Sequence, residues 1–278
     1  MECLKRNIII SDLYGTLLDR FGDLSISGQK KQYDFLINFI NEFLEKNNFF
    51  IIVTSLGSHL SEKRLIESVS FIASGVSKEK RKQFLAFING VQKPKLYIPS
   101  SEFTINFFKG DKSIIVPRLF NELSIKKGDN VLAAGDSYKD IGMLLKVNEL
   151  GGKSFYVDPK YPDGEYNNLS TDSIEHLING IAFEELTKNE YELFKQCNKS
   201  IFEKLKKRTE DLLLQYKSGK INREDLEYLC SLGLFKTHYE IYANSYGVEE
   251  ECTFDTGKKL IFVDGKKNMY STLQKHII

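Results

Sequence analysis

Apolar positions along the chain follow two rhythms, and their alternation predicts the architecture. Ile8, Ile9 and Ile10 form a continuous apolar run, the pattern of a short strand buried on both faces. Similar runs recur at Phe49 to Val53 (FFIIV), Lys95 to Pro99 (KLYIP), Asn130 to Ala134 (NVLAA) and Ser154 to Val157. Between them the spacing becomes helical. Phe35, Leu36, Phe39, Ile40, Phe43 and Leu44 share one face of a helix over Gln32 to Lys46. Ser61 to Phe87 predicts one long helix or two short ones broken near Gly75, with the Lys78 to Lys82 charge run as a solvated face. Ile114, Ile115, Leu119 and Leu123 predict a further helix, with Pro117 starting it late or kinking it. Ile141 to Val147 completes the set. Strands alternating with helices predict an α/β fold with a doubly wound parallel sheet.

The pattern shifts after about Asp163. Tyr166 to Thr171 reads as a polar loop, and Glu184 to Lys217 as one long helix. Phe194, Ile201, Leu205 and Leu212 form a seam on that helix suited to packing on another. Gly219 ends it, and Asn222 with Asp225 starts the next in the manner of a capping box. Thr253 to Lys267 carries two apolar arms and two turn signals, predicting a terminal hairpin. The expected division is a core over 1–165 and a mostly helical extension over 166–278.

Composition narrows the compartment and the partners. A formal net charge of +1 predicts no broad attraction to nucleic acid or anionic membrane. The four cysteines (Cys3, Cys197, Cys230, Cys252) lack the close spacing of a zinc site or redox pair, and suit reduced thiols of a cytoplasmic protein. No apolar run reaches transmembrane length and no signal peptide is evident, although export by a system reading other signals stays open.

The chemistry collects at strand ends. In a parallel sheet the strands carrying Asp12, Thr54 and the Asp136/Asp140 pair present their carboxyl ends along one edge, where such sheets bind ligands. Three convergent carboxylates repel one another unless a cation sits among them, and an all-oxygen set suits Mg²⁺. A lysine and a hydroxyl beside them would bind phosphoryl oxygens, and a carboxylate can attack phosphorus.

These motifs resemble the haloacid dehalogenase superfamily, whose phosphatases open with a strand followed by D-x-D-G-T. DLYGT places Asp12 at the nucleophile, with Gly15 and Thr16 at the turn; IIVTS places Thr54, ahead of Ser55, at the second motif; GDSYKDIGML places Asp136 and Asp140 at the acidic pair. Lys112 lies at about the family spacing for the third-motif lysine, with Lys109 as runner-up. The resemblance covers roughly Asn7 to Asp158. It implies a Mg²⁺-dependent phosphatase working through an aspartyl-phosphate on Asp12, the metal held by Asp12, Asp136, Asp140 and the backbone carbonyl of Tyr14. Tyr14 stands where family phosphatases carry a second aspartate as general acid and base, and Asp19 is only a distant substitute. Good leaving groups, such as phosphotyrosine or aryl and acyl phosphates, are therefore expected. Dehalogenases carry tyrosine at that position too, but do without the metal carboxylates. The room left for insertions implies a capless or minimally capped site, open to a macromolecular substrate such as a phosphoprotein. The alternative from another class is an interaction protein with a degenerate site, whose extension binds a partner or a second protomer.

Overall fold

A computed structural model describes residues 5–19, 25–56, 61–90, 103, 105–158, 188–248 and 260–277. Its order is β1 (Asn7–Ser11), α1 (Lys30–Phe43), β2 (Phe49–Ser55), α2 (Glu62–Gly75), β3 (Phe84–Asn89), β4 (Ile105–Phe108), α3 (Ile115–Glu122), β5 (Asn130–Gly135), α4 (Ile141–Glu149) and β6 (Lys153–Asp158). Among the described residues three helices follow, α5 (Lys188–Cys197), α6 (Lys199–Lys217) and α7 (Arg223–Tyr246), and then β7 (Leu260–Asp264) and α8 (Gly265–His276).

The fold is α/β. Seven strands form one sheet in the order β4-β3-β2-β1-β5-β6-β7, and every pairing with a defined register is parallel. Alternate strand residues face opposite layers. Ile9, Phe50, Ile52, Ala86, Leu132 and Phe155 belong to a core shared with buried residues of α1, α2 and α8. Ile8, Ile10, Ile51, Val53, Val131 and Ala133, also buried, have the other parity. On that side the Ser154 hydroxyl donates to the Leu144 carbonyl of α4 at 2.7 Å, and Arg118 of α3 lies over the Phe87 ring. β1 is thus buried on both faces, as its isoleucine run requires.

The chain divides into two compact units, one of Met1–Leu56, Leu60–Val157 and Thr256–Ile278, the other of Gly57–His59 and Asp158–Asp255. The last segment, expected within the extension, thus groups with the sheet. Of the terminal hairpin expected over Thr253 to Lys267, the residues before Leu260 lie outside the described ones. Leu260–Asp264 joins the sheet as its edge strand beside β6, and the chain turns directly into α8, whose Met269 and Leu273 are fully buried. The apolar stripe of α8 belongs to the sheet core, so the second turn signal marks a strand-to-helix junction.

Two further expectations change. Ser61 to Phe87 is not helical throughout. α2 starts on the Ser61 hydroxyl, which accepts from the Arg64 amide, and stops at Gly75, where a Cβ would collide with Ile37 of α1. A 3₁₀ helix at Lys78–Gln83 with no buried residue holds the charge run, as a solvated face should, and Phe84–Asn89 is an inner strand. The strand expected at Lys95 to Pro99 and the loop at Tyr166 to Thr171 lie outside the described residues. The long helix expected over Glu184 to Lys217, whose first residues also lie outside them, is two helices. Asn198 separates them, its side chain and backbone amide both donating to the Phe194 carbonyl. Ile201, Leu205 and Leu212 of the seam are buried on α6, which packs along α7; Phe194 sits on α5, half-buried, its ring 6.1 Å from Phe202. Gly219 (φ 70°) and the Asn222 cap, accepting from the Asp225 amide at 2.9 Å, join the pair as expected. Among the described residues no helix is long and apolar enough to cross a membrane.

Candidate metal and phosphoryl site

β1 delivers Asp12 beside β5. Ser11 pairs with Ala134, and the Asp12 amide continues the ladder to the Ala134 carbonyl at 3.0 Å. Asp136 therefore leaves its strand next to Asp12, at the carboxyl edge of the sheet. Gly15 (φ 84°) turns the chain under Asp136, and a Cβ at that position would collide with the Asp136 carboxylate. Thr16 then donates its hydroxyl to Asp136 Oδ1 at 2.8 Å. The D-L-Y-G-T order is thus a turn that brings one carboxylate to another.

Asp140 is fixed by a capping box. Its Oδ2 accepts from the Asp136 amide (3.1 Å), the Ser137 amide (2.9 Å) and the Ser137 hydroxyl (2.8 Å). The small residue Gly135 is required beneath it, since a Cβ there would meet the Asp140 side chain. Its Oδ1 accepts from Lys112 at 2.6 Å, and the same ammonium donates to Asp12 Oδ1 at 2.7 Å. Lys112 is 1% exposed and enters from a 3₁₀ turn started by Asp111. Lys109, the runner-up, is exposed.

Asp12, Asp136 and Asp140 each offer an oxygen, all within 4.8 Å of one another, and all three are buried. Among the described residues one ammonium, that of Lys112, is paired with carboxylates of this cluster. Desolvation pushes Asp12 above the usual carboxylate range, with Asp140 and Asp136 adding to it and Lys112 opposing. Burial alone would raise Asp140 too, but Lys112 and the Ser137 donors hold it low. Burial works against the charge on Lys112, yet its two carboxylate partners keep it protonated. The donor set fits a hard divalent cation in being all oxygen and compact.

The other expected residues divide. Thr54 lies near the end of β2 at the same edge, two residues beyond the level of Ser11, and is buried; Ser55, the last residue of β2, is half-buried. The Tyr14 backbone belongs to the site turn, but its phenol points elsewhere. Tyr14 Oη lies 2.7 Å from Tyr33 Oη of α1 and donates to Ser68 Oγ of α2 at 2.9 Å, to which Tyr33 also donates at 2.9 Å. Burial, then the Tyr33 and Asp12 neighbours, push its proton affinity far above that of free tyrosine. The Tyr14 hydroxyl is therefore taken up by Tyr33 and Ser68. Asp19, the distant alternative, is exposed, with its amide and carboxylate both on the Gln32 side chain.

Three participants carried no clear sequence signal. Tyr33 and Ser68 sit on helices whose spacing marks only core and surface. Ser137 opens an S-x-x-D box, a pattern too common to single it out, and it holds Asp140. No protein-family model matches the chain, and no curated protein matches it.

Proposed function

We propose that the chain is a Mg²⁺-dependent phosphatase of the haloacid dehalogenase type, acting through an aspartyl-phosphate on Asp12. The observation that carries this reading is the cluster at the carboxyl edge of the sheet: three buried carboxylates within 4.8 Å, with Lys112 bridging Asp12 and Asp140. Asp12, Asp136, the Tyr14 carbonyl and Asp140, as ligand or support, would hold the ion. Bound there, Mg²⁺ supplies positive charge to phosphoryl oxygens and keeps Asp12 ionised.

The chain's own groups do the rest. The Asp12 carboxylate attacks phosphorus as the bond to the leaving oxygen breaks, and water then hydrolyses the acyl phosphate. The Lys112 ammonium and Thr54 hydroxyl bind phosphoryl oxygens, Lys112 exchanging part of its hold on Asp12 for the substrate. Thr16 and the Ser137 donors keep Asp136 and Asp140 aimed. Among the described residues no acid is placed to protonate the departing oxygen, because the Tyr14 phenol is committed to Tyr33 and Ser68. Leaving-group protonation contributes about 10²- to 10⁴-fold, most for poor leaving groups. Aryl substrates, including phosphotyrosine on an accessible polypeptide, are the expected class.

Turnover of p-nitrophenyl phosphate, phosphotyrosine and an alkyl phosphate with Mg²⁺ tests this, with Asp12→Asn as the blank. Aryl substrates should exceed alkyl ones by about 10²-fold or more in kcat/KM, and Tyr14→Asp should narrow that gap. Equal rates would reveal another general acid. Calorimetry should show one Mg²⁺ site that Asp136→Ala abolishes. The Tyr14 hydroxyl, turned to Tyr33 and Ser68, favours a second reading, an interaction protein with a non-hydrolytic site; Mg²⁺ binding without turnover of any substrate class would select it.

A further inference from the structure

The loop after β1 is largely bonded to itself. The Leu17 and Leu18 amides both donate to the Leu13 carbonyl, at 2.9 and 2.8 Å, and the Gly15 amide donates to the Leu18 carbonyl at 2.7 Å. Thr16 anchors it on the site side through Asp136. On the other side the Leu17 carbonyl accepts from the Tyr270 hydroxyl of α8 at 2.7 Å, across 253 residues of chain. Both residues are buried, so a lost bond there would leave a carbonyl without water to replace it. The Tyr270 ring is held edge-on between Phe35 (4.7 Å) and Phe39 (5.2 Å) of α1. Met269 and Leu273, fully buried, fix the helix that carries it.

We propose that Tyr270 is a positioning residue for the phosphoryl site, setting the loop that carries Asp12, Tyr14 and Thr16 by its hydrogen bond to Leu17; the role rests on the functional reading given above. The last element of the chain thereby becomes a condition for the geometry of the first motif. With the phenol bound to Leu17, Thr16 meets Asp136 and Gly15 passes beneath it. Without the phenol, the loop keeps its internal bonds and its Thr16 and Tyr14 anchors but loses the one at Leu17, and the Asp12–Asp136 spacing loosens. Burial keeps the phenol protonated, so it remains a donor throughout the neutral range.

Tyr270→Phe in the full chain removes the hydroxyl and keeps the ring packing. Asp129→Asn, which weakens an ion pair at the opposite edge of the sheet, is the control for general destabilisation. Hydrogen exchange at the Leu17 and Leu18 amides should quicken about tenfold in Tyr270→Phe and not in Asp129→Asn. The Mg²⁺ dissociation constant should rise about three- to tenfold, with kcat lowered and KM for phosphotyrosine unchanged, again in Tyr270→Phe only. Unchanged exchange, unchanged Mg²⁺ affinity, or equal effects of the two substitutions would each overturn the role. If the native protein binds no Mg²⁺, the functional reading fails and takes the catalytic consequence with it. The exchange contrast still decides whether Tyr270 anchors the loop.

Discussion

Lys112 is where a single side chain decides whether the site holds together. It is buried between Asp12 and Asp140, and no other cation in the described site shares the load. Removing one partner of such a cluster leaves uncompensated buried charge, at a cost of about 3–5 kcal/mol. Lys112→Met should therefore lower the unfolding free energy by about that much at pH 8. The sign with pH follows from the carboxylates. Without Lys112 their folded-state proton affinities rise above the unfolded values, so the native state binds more protons and the penalty shrinks as pH falls. Urea melts at pH 8 and pH 5.5 check this, and a penalty that grows toward acid would contradict the charge account. Addition of Mg²⁺ should recover part of the loss at pH 8. The sequence made Asp12, Asp136 and Asp140 legible because each follows a recognisable strand or cap. Tyr14 was legible only as a departure: which way its phenol turns was set by Tyr33 and Ser68, which arrive from two helices.

At the scale of elements, the sheet is registered at its amino edge by polar groups. Arg6, before β1, donates to both oxygens of Asp129, before β5, and to the Leu123 and Ser124 carbonyls. Asn7, Asn48 and Asn130 connect the starts of β1, β2 and β5, and Asn130 also donates to the His276 carbonyl at the end of α8. Burial opposes the charge on Asp129, but the Arg6 hydrogen bonds and the Lys126 amide outweigh it and hold the carboxyl below its ordinary range. This contribution is present above the unfolded-state value near pH 4 and is lost as pH falls through the lower folded-state value. Asp129→Asn should cost about 1.5–3 kcal/mol at neutral pH and flatten the acid limb of the stability profile. Thermal melts from pH 7 to pH 2.5 measure both, and parallel profiles would remove the ion pair from the account. Strands were legible where burial on both faces made an unbroken apolar run. β3 was missed because its FLAFIN continues a helical spacing across the break at Gly75, and β4 because four half-buried residues leave little pattern.

Over the whole molecule, the sheet unit closes only when the chain returns to it. β7 and α8 bury Leu260, Val263, Met269 and Leu273, and four such side chains contribute about 6–12 kcal/mol, comparable to the net stability of a domain. A chain ending at Asp255 should therefore fail to give a cooperatively folded sheet unit. A chain in which 159–255 are replaced by a flexible linker of about 15 residues, keeping 256–278, should fold and bind Mg²⁺. Circular dichroism melts and calorimetry on both distinguish the cases; a stable truncated chain would show that the return is dispensable. The sequence by itself determined the α/β class, four of the sheet's strands, the caps and the carboxylate motifs. Each of these depends on a local cause: apolar period, glycine conformation, or a side chain bonding a neighbouring amide. Only the tertiary structure decided that Leu260–Asp264 is an edge strand of the sheet followed directly by a helix, and that Lys112, not Lys109, reaches the carboxylates. It also decided that Tyr14 turns to Tyr33 and Ser68 while Tyr270 reaches Leu17. Those outcomes depend on which distant surfaces become neighbours when the sheet closes, and short-range pattern carries no record of that.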